Sequence, residues 1–188
     1  MRMPLIAALA ALPLAACVSV TANDYSGSAP ERASVGDFGE ATLTNGSGAR
    51  VGRAVLTQGP TGLLIRIEVE GLTPGWHGIH IHARGECAAP FTSAGAHVNH
   101  GEPKAPHGLL NAAGPDDGDL PNIHADAQGR AYAEIFTTQA RIARTGPGQW
   151  LWDEDGSALV IHANMDDHTS QPIGGAGDRV VCGVMAAG

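Results

Sequence analysis

Residues 63–69 carry the plainest pattern in the chain. Leu63, Ile65, Ile67 and Val69 occupy one parity, and Arg66, Glu68 and Glu70 the other. Successive side chains of a strand point to opposite faces, so this pattern predicts a half-buried β-strand. Ala41 and Leu43 alternate with Thr42 and Thr44 before the turn Asn45-Gly46-Ser47-Gly48. Val51, Arg53 and Val55 form the next alternating run, closed by Gln58-Gly59-Pro60-Thr61-Gly62. After Gly71-Leu72-Thr73-Pro74-Gly75, His77 to Ala83 predicts a fourth strand. Further strands are predicted over Arg130 to Thr138, Ala158 to His162 and Arg179 to Met185. Short strands separated by turn residues, with no helical period, indicate an all-β antiparallel sandwich or barrel.

Two stretches break the rhythm. Arg84 to Asn122 and Asn164 to Asp178 have no strand pattern and many Gly and Pro. Long irregular loops in a compact domain are functional or disordered, and the histidines of the first favour function. The N-terminus has its own logic. Arg2 precedes the nearly all-apolar run Leu5 to Ala16, a charged n-region and short h-region that read as a signal peptide over residues 1–16. Leu14-Ala15-Ala16-Cys17 resembles the lipobox of bacterial lipoproteins, which implies cleavage before Cys17 and its acylation. The alternative is an ordinary signal cut near Ala16 that leaves Cys17 a stray thiol. Residues 17–35, rich in Ser, Ala, Asn, Gly and Pro, read as a tether, and residues 36–188 as one folded domain.

Composition narrows the partners. The chain of 188 residues has 26 glycines and 12 prolines, about one residue in five, which suits turns and excludes long helices. Aromatic residues are 4%, so the core must rest on Val, Ile, Leu and Ala. A net charge of −8 with a single lysine, Lys104, argues against a nucleic-acid partner, since phosphate binding needs clustered Lys and Arg. No run past residue 17 approaches the roughly 18 apolar residues of a spanning helix. Any membrane contact therefore goes through a lipid on Cys17. Beyond Cys17 only Cys87 and Cys182 remain. In an exported protein such a pair reads as a disulfide, against the alternative of two buried free thiols.

Seven of the nine histidines fall between His77 and His124. His80 and His82 are two apart on a predicted strand, which puts both imidazoles on one face about 7 Å apart, with Ile79 and Ile81 on the other. A His-x-His pair alone is weak. It gains weight from His97 and His107 in the long loop and His162 on another strand. Imidazoles suit copper and zinc, and a carboxylate such as Asp119 suits zinc. His77 reads as a packing residue, His124 and His168 as surface residues, and Trp150 and Trp152 as half-buried anchors.

These segments, in this order, resemble the copper/zinc superoxide dismutases. His77-Gly78-Ile79-His80-Ile81-His82 looks like their copper-binding strand, and Ser93-Ala94-Gly95-Ala96-His97 like the segment of the metal-bridging histidine. His107-Gly108 and Gly118-Asp119-Leu120-Pro121-Asn122 resemble zinc-ligand segments, and Leu159-Val160-Ile161-His162 the strand of the fourth copper ligand. Gly174 to Gly183 resembles the closing segment, with its arginine at Arg179 and its cysteine at Cys182.

The resemblance implies an eight-stranded antiparallel Greek-key barrel with two long functional loops. It implies copper on His80, His82, His97 and His162, and zinc on His97, His107 and Asp119 with one further ligand. Asp166 matches the carboxylate that hydrogen-bonds one copper and one zinc ligand, here His80 and His107. Arg179 matches the arginine that orients the incoming anion, the alternative being a surface ion pair with Asp178 or Asp167. The fourth zinc position departs from the pattern: Asp116 stands where the family usually has histidine. Asp116 is either a ligand or a solvated loop acid, and His100 is a weaker substitute. The implied reaction turns superoxide into oxygen and hydrogen peroxide in the periplasm or cell envelope. A non-enzymatic copper-binding or copper-delivery protein on the same fold is the competing reading. A second copy of the chain is an admissible partner, because a dimer patch on a barrel looks like ordinary surface in sequence.

Overall fold

The structure is a computed structural model, and it describes residues 37–188. The expected signal peptide (1–16), Cys17 and the tether (17–35) lie outside the described residues. Twelve strand segments follow one another among those described: β1 Phe38–Asn45, β2 Arg50–Gln58, β3 Leu63–Val69, β4 Gly75–His77, β5 Ile79–His82, β6 Ile123–Ala125, β7 Ala131–Thr137, β8 Ala140–Arg141, β9 Gln149–Trp150, β10 Ala158–His162, β11 Arg179–Val184 and β12 Ala186–Ala187. A single 3-10 turn, Thr92–Ala94, is the only helical element among them.

The main sheet is antiparallel in the order β5-β10-β11-β1-β2-β3-β7, with β12 extending the edge of β1. β11 returning beside β1 is the long-range step of the Greek key. At the far end β6 pairs with β4, and β4 leads across Gly78 into β5, so the sheet curls toward its own first strand. The all-β Greek-key expectation holds.

The core follows the alternation read along the chain. Ala41 and Leu43 of β1 and Leu63, Ile65, Ile67 and Val69 of β3 are buried, while Arg66 and Glu68 are exposed and pair across the strands with Glu134 and Arg53. Ile79 and Ile81 join this interior with Leu159, Ile161 and Val181. On β2 the inward face is Ala54, Leu56 and Gln58, not the Val51–Arg53–Val55 parity. Gln58 can face inward because its Oε1 accepts the N–H groups of Ile142 and Ala143 and its Nε2 donates to Gly62 O.

Three other expectations are corrected. The fourth strand is two segments, broken at Gly78, whose N–H donates to Asn164 O at 2.7 Å and whose carbonyl accepts His162 N–H at 2.8 Å. A Cβ at Gly78 would stand 2.9 Å from that of Ala176, so this close approach needs glycine. β6 is a strand where none was expected, because three residues cannot display a period. The pair β8–β9 went unread for the same reason.

Cys87 and Cys182 form the expected disulfide. It ties the first long loop to β11. Cys182 is buried in a small cluster with Phe91, Ala94, Ala158 and Val160, outside the main core.

Candidate metal centre

The centre forms where both long loops fold back over β5 and β10. Val160 pairs with His80 and Ala158 with His82, which sets the two strands side by side. His162 follows a register shift at the end of β10 and lies opposite Arg179. The first loop clamps β5 with backbone bonds on both sides of Ile81. Val98 N–H donates to Ile81 O, and Ile81 N–H donates to Gly118 O, both at 2.9 Å. These bonds set His97 opposite His82 and Asp119 opposite His80. Residues up to 39 apart in sequence thereby meet on one short strand.

Four imidazoles face one another. His80, His82, His97 and His162 are all buried, and one ring nitrogen of each lies within 4.8 Å of the others. The ring of His80 stacks on that of His97 at 4.1 Å and meets that of His162 edge-on at 4.9 Å. In every case the outer nitrogen is held by an acceptor. His82 Nδ1 donates to Gly95 O and His162 Nδ1 to Gly177 O, each at 2.9 Å. His80 Nε2 donates to Asp166 Oδ2 at 2.8 Å, and His97 Nδ1 to Asp116 Oδ2 at 3.0 Å. Carbonyl and carboxylate oxygens only accept, so these bonds fix each tautomer. They leave His80 Nδ1, His82 Nε2, His97 Nε2 and His162 Nε2 buried with no hydrogen-bond partner. Buried polar atoms without partners are rare and costly. Four ring nitrogens converging on one point become, once His97 yields its Nε2 proton, a donor set for a soft or borderline metal, and copper fits it.

Beside this group lies a second. His80, His97, His107 and Asp119 also have one ligand atom each within 4.8 Å. His107 Nδ1 is 2.5 Å and His97 Nδ1 3.5 Å from Asp119 Oδ1. Asp119 Oδ2 is occupied by the N–H groups of Gly108 and Asp116, which leaves Oδ1 to face the rings. His107 Nδ1 and Asp119 Oδ1 have no hydrogen-bond partner. Mixed imidazole and carboxylate donors fit zinc. Asp116 is 4% exposed, so it is no solvated loop acid, yet it falls outside that four-member set and His80 stands in its place. His100 is exposed and faces Asp153 instead.

Asp166 joins the two groups. Its Oδ2 accepts from His80 and its Oδ1 from His107, at 2.8 and 3.1 Å. Asn122 grips the Asp166 backbone on both sides, donating to its carbonyl at 2.8 Å and accepting its N–H at 2.9 Å. His168, expected on the surface, is half-buried, and Asn122 Nδ2 donates to its Nε2. At Gly174 (φ 58°) a Cβ would overlap Asp166 Oδ1 and crowd His107 Nε2. Asn122 and Gly174 went unassigned in the sequence, where Asn122 was read only as a flank of the Asp119 segment.

The electrostatics separate the rings. Burial pushes His80, His82 and His162 down to about 3, 2 and 4, so they stay neutral and free to ligate. Burial also works against protonation of His97. The carboxylates of Asp116 and Asp119 beside its Nδ1 outweigh it and raise that ring to about 9. For Asp166 burial is likewise the largest influence and opposes ionisation, but the bonds to His80, His168 and His107 hold its carboxyl well below the usual range.

Arg179 makes no ion pair with Asp178 or Asp167. Its Nη1 donates to Phe91 O and its Nη2 to Gly95 O, each at 2.6 Å. Two neutral carbonyls leave the guanidinium charge uncompensated beside the imidazoles.

Comparison with known proteins points to the same two metals. The family model described as copper/zinc superoxide dismutase matches residues 50–185. The chain belongs to the copper/zinc superoxide dismutase family. A superoxide dismutase [Cu-Zn] of Caulobacter vibrioides is 50% identical over 146 residues, covering 77% of this chain and 83% of that one. The superoxide dismutase-like protein YojM of Bacillus subtilis is 35% identical, covering 98% of this chain and 95% of that one. Among solved structures, the Cu/Zn superoxide dismutase of Brucella abortus superposes with a TM-score of 0.66 at 26% identity, covering 80% of this chain and all of that one (100%).

Proposed function

We propose that this chain converts two superoxide anions and two protons into oxygen and hydrogen peroxide, with copper on His80, His82, His97 and His162. The observation that carries the reading is the set of four buried imidazole nitrogens, unpartnered and aimed at one another. His97 is the bridge to zinc on His107 and Asp119, with Asp116 as the fourth donor. Copper held there would supply reversible one-electron chemistry, and zinc would be held against the other face of the site by His97, His107 and Asp119.

The residues supply the rest. As a bridge, His97 must give up both ring protons. Its Nε2 then takes a proton in one half of the cycle and delivers it to the reduced oxygen species in the other. Asp166 prevents His80 and His107 from turning by holding both Nε2–H groups. Arg179 places positive charge where an anion enters. Total charge opposes the substrate, but the local field at the cleft governs its approach. The segment 164–178 has no Lys or Arg, so attraction rests on Arg179 and the metal centre.

A non-enzymatic copper-binding or copper-delivery role on the same fold is the competing reading. The intact imidazole set beside an unpaired arginine favours the enzyme. Superoxide consumption by protein loaded with one copper and one zinc, beside chelator-treated protein, tests it. Tight copper binding with no consumption above free buffer would leave delivery as the function.

The chain is further proposed to work in the cell envelope, anchored through acylated Cys17. The disulfide supports an oxidising compartment. Among the described residues no helix is long and apolar enough to cross a membrane.

A further inference from the structure

Asp116 is buried beside His97, and its surroundings give it a defined orientation. Oδ1 accepts the N–H of Gly118 at 3.0 Å, and the Asp116 N–H donates to Asp119 Oδ2 at 3.0 Å. The carboxylate is therefore pinned by its own turn, with Oδ2 left over. Oδ2 lies 3.0 Å from His97 Nδ1. On the far side of the same ring, Nε2 is buried, unpartnered and turned toward His80, His82 and His162.

We propose that Asp116 is a positioning residue for His97: in zinc-free protein its Oδ2 holds the Nδ1–H and keeps Nε2 presented to copper, and in zinc-bound protein the same oxygen becomes a metal donor. This rests on the copper reading above. It adds that the copper group is built whether or not zinc is present. A charged, pre-oriented acceptor suits that task, because a hydrogen bond to a carboxylate is about twice as strong as one between neutral groups. It also selects the tautomer. With the proton kept on Nδ1, Nε2 is the nitrogen that yields its proton to a metal.

The asparagine variant sharpens the argument. Asp116→Asn can still accept the Gly118 N–H through its carbonyl, so the turn survives. Its amide NH2 then faces His97 Nδ1. That favours the opposite tautomer, with the proton on Nε2, where copper must bind. A merely structural aspartate would be replaced by asparagine without this effect.

The test is copper titration of zinc-free protein in competition with a chelator, with the Cu(II) electron paramagnetic resonance spectrum as a second readout. Wild type, Asp116→Asn and Asp116→Ala are compared, each also preloaded with zinc. In wild type, zinc should change copper affinity by less than about threefold. In both variants, zinc-free copper affinity should fall roughly 10–100-fold, the usual effect of losing a partner that orients a ligand. The spectrum should lose the contribution of one nitrogen. Zinc bound by His97, His107 and Asp119 should restore most of the loss, because zinc then holds Nδ1 itself. Equal zinc-free copper affinity and identical spectra in wild type and both variants would overturn the proposal. So would a loss that zinc does not repair. Failure of the copper reading looks different: wild type itself would then give no nitrogen-rich copper spectrum.

Discussion

Arg179 and His82 meet on one atom: Arg179 Nη2 and His82 Nδ1 both donate to the carbonyl oxygen of Gly95, at 2.6 and 2.9 Å. The Arg179 guanidinium is thus tied to the ring whose other nitrogen faces the remaining three imidazoles. Gly95 precedes His97 by two residues, so the same loop corner positions the His97 ring as well. Arg179→Ala should lower kcat/KM about tenfold or more and flatten its dependence on salt, since local positive charge accelerates anion capture by at least that factor. Copper content should fall little. Rates measured across ionic strengths check this, and an unchanged rate with full copper would remove Arg179 from the reaction.

Asp166 serves two rings with two oxygens, which an amide cannot do. In Asp166→Asn one of His80 and His107 would face an NH2 group. Metal affinity should fall roughly 10–100-fold for at least one of the two metals. Metal content after dialysis against graded chelator concentrations would show it. A variant that keeps both metals like wild type would contradict the assignment.

Protein stripped of metal by a chelator should be most stable near neutral pH. His80, His82 and His162 are lowered to about 3, 2 and 4 in the fold. Unfolded histidine titrates near 6.5. Between these values the unfolded chain binds more protons, so stability is full above about 6.5 and falls as pH drops through the folded values. His97, raised to about 9, has the opposite sign. Its contribution is full below about 6.5 and is lost as pH rises through 9. Melting temperature against pH should therefore peak between these limbs, and the alkaline limb should disappear in His97→Ala. A profile flat from pH 4 to 10 would show that these rings do not feel the environment described.

The disulfide spans a sequence separation of 95 residues. A loop of that size is stabilised by about 4–5 kcal/mol on chain-entropy grounds. Cys87→Ser with Cys182→Ser should lower the melting temperature by several degrees or more. Metal should be lost during heating at a lower temperature too, because the bond holds the loop that carries His97 and His107. Calorimetry with metal release followed in parallel would reveal either effect.

Mature protein extracted from membranes should begin at Cys17 and carry acyl mass there, as the Leu14–Cys17 segment predicts. Mass spectrometry of the N-terminal peptide decides it. An unmodified chain beginning elsewhere would leave the anchor without support.

The sequence by itself determined the class of fold and most of the chemistry. Leu63 to Val69 alternates because one face of β3 meets the core and the other meets water, and such a pattern is local. The donor types are local too: His80-Ile81-His82 places two rings on one side of any strand. What only the tertiary structure decided is which atoms meet. The inward face of β2 ends on Gln58, which hides its polarity in hydrogen bonds to residues more than 80 positions away. Gly78 breaks a strand that sequence pattern runs through, since the reason lies in Ala176 and Asn164. Asn122 and Gly174 carry no signal of their own, and they matter only because the second loop brings Asp166 against them. Asp116 reads equally as a ligand or a solvated acid in sequence, and its burial and its 3.0 Å contact with His97 come only from the fold. Composition and spacing record what each residue can do. Long-range contacts, which the chain pattern does not encode, select the partner it does it with.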